Sequence, residues 1–131
     1  MPTPRLAFLV PLATLVLLGH GLGMWVVVLR MRLKVGIGDG GHRLLKRAIR
    51  VHANFIEWVP MALVGLLAAD LSGADARVVA GLGGTLVLSR VLHAVGLGRR
   101  AGTSPGRFLG TALTQAVLLG SVGVAVWAAA G

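Results

Sequence analysis

The sequence has no cysteine and no tyrosine, and only four of its 131 residues are acidic. Without cysteine there is no disulfide framework, no thiolate metal site and no cysteine nucleophile. Without tyrosine no phenol can donate or accept a proton. Charge of any kind is scarce: charged residues make up 13% of the chain, against about 25% in a soluble domain. Apolar residues fill the space, with 56% hydrophobic residues, 20 glycines and a mean hydropathy of +0.85. That leaves too little polar surface to cover even one domain in water, so the composition specifies an integral membrane protein. The formal charge of +9 could point to nucleic acid, but eight of the 17 charged residues lie within residues 30–50. A basic segment flanked by apolar runs reads as a cytoplasmic loop facing anionic lipid, and no nucleic-acid partner is expected.

Four apolar runs are long enough to cross a bilayer: residues 6–29, 48–71, 78–97 and 108–130. The first holds 24 residues with one His and no formal charge, and a helix rising 1.5 Å per residue would carry it through a hydrocarbon core of about 30 Å with some tilt. The expected fold class is an all-α membrane protein, a single four-transmembrane-helix domain over residues 1–131. The segment between the first two runs carries Arg30, Arg32, Lys34, Arg43, Lys46, Arg47 and nearby Arg50 against Asp39 alone. The second connection has Asp70, Asp75 and Arg77, and the third has Arg99, Arg100 and Arg107. Loops one and three share a side, and the positive-inside rule makes that side cytoplasmic, with both termini outside. Arg5 precedes an apolar stretch too long for a signal-peptide core, so an uncleaved first helix is expected. Gly36 to Gly41 formally fits G-x-G-x-x-G. No strand precedes it and there is no room for a dinucleotide-binding unit, so it reads as a flexible loop.

The polar residues that interrupt runs two and three are patterned. Arg43, Lys46, Arg50, Asn54 and Glu57 recur at steps of three and four, which confines them to a stripe of roughly 80° on one helix face; His52 points the other way. On the third helix Arg90 and His93 share a face that Leu97 continues. From the helix ends, Arg50 and His93 lie roughly 4–8 Å deep, and Asn54, Glu57 and Arg90 roughly 10–15 Å. A charged residue at a span centre costs about 2.5–3.5 kcal/mol to insert. These groups should therefore face the bundle interior and pair, Glu57 with Arg90 in the first place. Such a pair would by itself be a packing device. Glu57 is outnumbered, however, by Arg50, Arg90 and Arg107, and that surplus invites an anionic ligand.

Ser104-Pro105 reads as an N-cap and first-turn pair opening the fourth helix, with Arg107 in its first turn. A cation there opposes the helix dipole unless an anion is bound beside it; a snorkelling interfacial arginine is the plainer alternative. Pro60 kinks the second helix or leaves the Ile56 carbonyl without a donor. His20 reads as a packed polar residue, Gly19-x-x-x-Gly23 permits close helix contact, and Trp25, Trp58 and Trp127 read as interface anchors or core. No metal site is expected.

The run Arg50-Val51-His52-Ala53-Asn54-Phe55-Ile56-Glu57-Trp58-Val59-Pro60 resembles the second-helix motif R-x-x-x-N-x-x-E, aromatic, then Pro, of the MAPEG family, the membrane-associated proteins of eicosanoid and glutathione metabolism. Arg90-Val91-Leu92-His93 resembles the third-helix motif of that family, and Ser104-Pro105-Gly106-Arg107 the start of its fourth. The likeness extends over almost the whole chain in span number and order. It implies a homotrimer of four-helix subunits that binds glutathione near the cytoplasmic face, between subunits. Carried over to this sequence, Arg50, Asn54 and Glu57 would hold the polar ends of the tripeptide. Arg90 and His93 would complete the pocket, Arg30 would contribute from the end of the first helix, and Arg107 would stabilise the thiolate. The chain departs from the family where Trp58 and Leu97 stand in place of tyrosines.

The expected function is that of a glutathione-dependent transferase or peroxidase of a bacterial-type inner membrane. Glutathione, or another anionic low-molecular-weight thiol, would act as co-substrate, and its thiolate would attack a lipophilic small molecule arriving through the lipid bilayer. Two other classes are a small four-helix transporter coupled through Glu57 and a non-catalytic membrane module. Surplus positive charge beside Glu57 argues against a cation transporter.

Overall fold

The structure is a computed structural model and describes residues 6–99 and 102–131. Arg5, ahead of the first apolar run, and Arg100, among the cations of the third loop, lie outside the described residues. Four helices account for nearly all of it: α1 (Leu6–Leu33), α2 (Arg43–Leu71), α3 (Ala76–Arg99) and α4 (Pro105–Ala130). All four are long and apolar enough to cross a membrane. The expected all-α four-helix architecture is present. Each helix bounds its apolar run and several extend past it, most of all α2, which starts five residues before Ala48. Hydropathy marks the stretch that suits lipid, whereas backbone hydrogen bonding continues for as long as no residue breaks it. As a result Arg43, Lys46 and Arg47 are helical and continue the stripe of Arg50.

Around the bundle the order is α1, α2, α4, α3, with α2 and α3 also touching across the centre and no direct packing between α1 and α4 among the described residues. α2 is the central element. Its buried residues Ala48, Val51, Phe55, Val59, Ala62, Leu66 and Ala69 recur at steps of three and four, as one face of an α-helix must. α1 is peripheral and buries only Phe8, Pro11 and Leu15. Small residues set the spacing: Phe55 of α2 lies over Gly19, His52 lies against Gly23, and Pro11 sits on Gly83 of α3. The Gly19-x-x-x-Gly23 pair is thus used, and His52, which points away from the polar stripe, faces α1. His20, expected to be packed, is instead exposed on α1.

The chain ends of the helices are specified locally. α2 closes with Ala74 N–H donating to the Ala69 carbonyl and Gly73 N–H to that of Asp70, with Gly73 at φ 85°, the paired arrangement that only a left-handed residue closes without strain. Asp75 then caps α3, its Oδ1 accepting from Arg77 N–H at 2.7 Å. Ser104 caps α4 by accepting from Arg107 N–H at 3.3 Å, and Pro105 stands at the first helical position, as its fixed φ and missing N–H allow. Loop 1 is folded back on α1. Gly38, Gly40 and Gly41 have positive φ, Asp39 Oδ1 accepts from Gly41 N–H, and Arg30 reaches the Gly38 carbonyl.

Candidate functional site

The α2 stripe is continuous and faces outward from the bundle. Arg43, Lys46, Arg50 and Glu57 are exposed and Asn54 is half-buried, because the opposite face of α2 supplies the core. The Glu57–Arg90 pair expected from the sequence is not formed. Glu57 Oε1 lies 4.0 Å from Arg50 Nη1, and the two side chains are 52% and 59% exposed. In water such a pair contributes about 0–1 kcal/mol. On a membrane helix the same exposure is expensive unless another subunit or a ligand covers it.

Arg90 follows a different route. It is 2% exposed at the junction of α2, α3 and α4, where its Nη2 donates to Asn54 Oδ1 at 2.7 Å and its Nη1 to Thr114 Oγ1 at 3.2 Å. Its Nε is buried with no hydrogen-bond partner among the described residues. Thr114 in turn donates to the Gly110 carbonyl at 2.8 Å and lies 3.0 Å from the Ser89 hydroxyl. The guanidinium is therefore held by neutral oxygens only. The physical reason is the close approach of α3 to α4. A Cβ on Gly110 would come within 2.6 Å of the Ser89 carbonyl oxygen and 2.8 Å of His93 Cβ, so only glycine lets α4 sit this near. That contact draws Arg90 toward Thr114 while Glu57 stays on the outward face. Neither Ser89 nor Thr114 was among the residues singled out from sequence. A lone hydroxyl in an apolar helix carries no signal until its neighbour is known.

His93 is buried, at 3% exposure, one turn beyond Arg90, and its Nδ1 has no hydrogen-bond partner among the described residues. Arg107 comes to the same level of the bundle. Its backbone N lies 2.8 Å from where a Cβ on Gly96 would stand, so the first turn of α4 rests on the turn of α3 that follows His93. Its Nη1 donates to the Gly102 carbonyl at 2.9 Å. Arg30 is not brought to this group, because its Nη1 bonds the Val35 and Gly38 carbonyls of its own loop. Arg47 was not assigned a role from sequence. It donates to the Gly98 and Arg99 carbonyls, placing a cation on the C-terminal end of α3, where the helix dipole favours one.

The structure therefore joins Asn54 to Arg90, sets Arg50 beside Glu57, and stacks His93 and Arg107 on adjoining turns of α3 and α4. It can offer an anion one buried, uncompensated guanidinium and a rim of further cations, with a single carboxylate, Glu57, for an ammonium group.

Comparison with known proteins places the chain among membrane proteins. The model of the MAPEG family matches residues 8–127. Over 75 residues the chain is 40% identical to the inner membrane protein YecN of Escherichia coli K12, and equally to its counterpart in Escherichia coli O6:H1. The aligned part covers 57% of this chain and 57% of each relative.

Proposed function

Because the chain belongs to the MAPEG family, we propose that it is a glutathione-dependent transferase or peroxidase of an inner membrane, acting on lipophilic electrophiles. One observation carries the reading. Arg90 is a charged group buried in a membrane helix bundle and bonded to neutral acceptors. An uncompensated ion in such a place costs several kcal/mol. A bound anion offsets that cost, and glutathione brings two carboxylates together with an ammonium for which Glu57 is the partner.

In this reading Arg50, Asn54 and Glu57 bind the polar ends of the tripeptide, and Arg90 and His93 close the pocket from α3. Arg107 holds the sulfur as a thiolate through its charge and the N-terminal dipole of α4. The thiol proton leaves to water at the loop side. In the transferase reaction the thiolate sulfur forms a bond to an electrophilic carbon, and the electron pair of the broken bond departs with the leaving group or opened ring. In the peroxidase reaction the sulfur attacks a peroxide oxygen and the O–O bond breaks, its electron pair leaving with the alkoxide, which takes a proton from water. The thiolate of a second glutathione then attacks the resulting sulfenic acid, giving the disulfide and water. With no tyrosine in the chain, no phenol assists either step. A homotrimer completes the arrangement. It covers the half-exposed Arg50–Glu57 pair, and it brings Arg30 to the site from an adjacent subunit once that side chain leaves Gly38. Loops one and three then face the cytoplasm and both termini lie on the other side.

The test is glutathione binding to the detergent-purified protein by calorimetry, with Glu57→Gln and Arg50→Ala alongside. Saturable binding that both substitutions remove supports the reading. Absence of binding by a folded, trimeric wild-type protein refutes it.

A further inference from the structure

Next to the stripe the structure holds a second basic feature. A cleft of about 470 Å³ is lined by Arg43, Lys46, Arg47, Arg50 and Leu97. It lies at the loop-1 end of the bundle, where the N-terminal turns of α2 meet the C-terminal turn of α3. Four of its five lining residues are cations. Glu57 approaches Arg50 alone, and Asp39, the acid of loop 1, accepts from Gly41 N–H. Among the described residues Arg43 and Lys46 have no ion-pair partner. Arg47 spends its guanidinium on the Gly98 and Arg99 carbonyls, which fixes one wall of the cleft to α3 and leaves Arg43 and Lys46 at its mouth.

We propose that this cleft binds the headgroup phosphate of an anionic phospholipid. The charge calls for an anion, and the position selects a lipid over a soluble one. Arg43, Lys46 and Arg47 stand just ahead of the apolar run that begins at Ala48, at the depth of the headgroups. The apolar lining residue is Leu97, which is buried, and Leu44, next to Arg43 along α2, is nearly half exposed. The stems of the arginines and the lysine add further apolar surface for the glycerol and upper acyl carbons. Basic pockets between membrane helices on the cytoplasmic side are suited to such headgroups, and each cation near the surface adds about 1 kcal/mol of attraction. The site meets the proposed glutathione site at Arg50 and at Leu97, which continues the Arg90 and His93 face, and it does not require that glutathione bind.

The purified protein, exchanged into micelles doped with phosphatidylglycerol or with phosphatidylcholine, is examined by native mass spectrometry. The comparison is with Arg43→Gln/Lys46→Gln, whose melting temperature is checked first. Phosphatidylglycerol is expected to be retained saturably and in preference to phosphatidylcholine, with retention falling about tenfold or more in the double variant. Millimolar inorganic phosphate and glutathione are expected not to displace it. Equal retention of phosphatidylcholine, or unchanged phosphatidylglycerol retention in the double variant, overturns the proposal. Displacement by inorganic phosphate makes the cleft a soluble-anion site, and displacement by glutathione makes it part of the thiol site; either refutes the lipid assignment. Should the double variant not fold, Lys46→Gln alone is expected to weaken retention about fivefold, and no change there also overturns it. A protein that fails to bind glutathione yet retains phosphatidylglycerol separates the two readings.

Discussion

Arg90 on α3 donates to Asn54 on α2 at 2.7 Å, while Glu57, one turn further along α2, stays on the outward face beside Arg50. The buried cation is thus tied to its neighbouring helix by an amide rather than a carboxylate. That choice leaves its positive charge without a counter-charge among the described residues. It also gives Asn54 a structural bond beside the binding role proposed for it.

Replacing Asn54 by Ala removes a hydrogen bond to a buried charged group, which contributes about 1.5–3 kcal/mol. Thermal unfolding in detergent is expected to show a loss of that order. Asn54→Asp is expected to restore the melting temperature by supplying the missing counter-charge, yet to weaken glutathione binding by removing the positive surplus. Tight binding by Asn54→Asp would contradict the anion-site reading.

Arg107→Ala is expected to cut turnover by about a hundredfold, the usual loss when one oxyanion-stabilising group is deleted, with a much smaller change in glutathione affinity. Single-turnover kinetics beside calorimetry separate the two effects. Equal losses in both would make Arg107 a binding residue only.

Gly110→Val should uncouple α3 from α4, because its side chain meets the Ser89 carbonyl and His93. The expected result is loss of folded protein in size-exclusion chromatography. Gly123→Ala, in a helix position with open space around it, is expected to fold like the parent chain. If both variants behave alike, close α3–α4 packing is not what positions Arg90.

Ser104→Ala removes the N-cap of α4 and should cost about 1 kcal/mol of stability, read as a lowered melting temperature. The proposed trimer predicts a sedimenting protein mass three times that of the 13.5 kDa chain once bound detergent is subtracted. A monomer would leave the Arg50–Glu57 pair uncovered and count against a site between subunits.

The four spans were readable in the sequence because a bilayer imposes length and apolarity on each segment separately, and both are local properties. The stripe of Arg50, Asn54 and Glu57 was readable for a similar reason, since α-helical periodicity alone puts steps of three and four on one face. The Ser104-Pro105 start of α4 is equally local: a side-chain oxygen meets a backbone N–H three residues away. The Arg90 partner was not readable. Choosing between Glu57, Asn54 and Thr114 depends on how far α3 slides against α2 and α4, and on which helix lies nearest at that depth. The role of Arg47 was hidden likewise, because the carbonyls it meets belong to α3, 51 and 52 residues away.

The sequence by itself determined that this is a membrane protein of four helices with a surplus of arginine on one face and at one end. Those facts follow from composition, periodicity and the cost of charge in lipid, none of which needs a neighbour. The tertiary structure alone decided which charges meet. Gly110, by lacking a Cβ, lets α4 press on α3 closely enough to bring Thr114 to Arg90, whose other bond is to Asn54 of α2. Glu57 is left on the outward face of α2 with Arg50. Distances of a few ångströms between helices fix that outcome, and they arise from side-chain packing across the whole bundle.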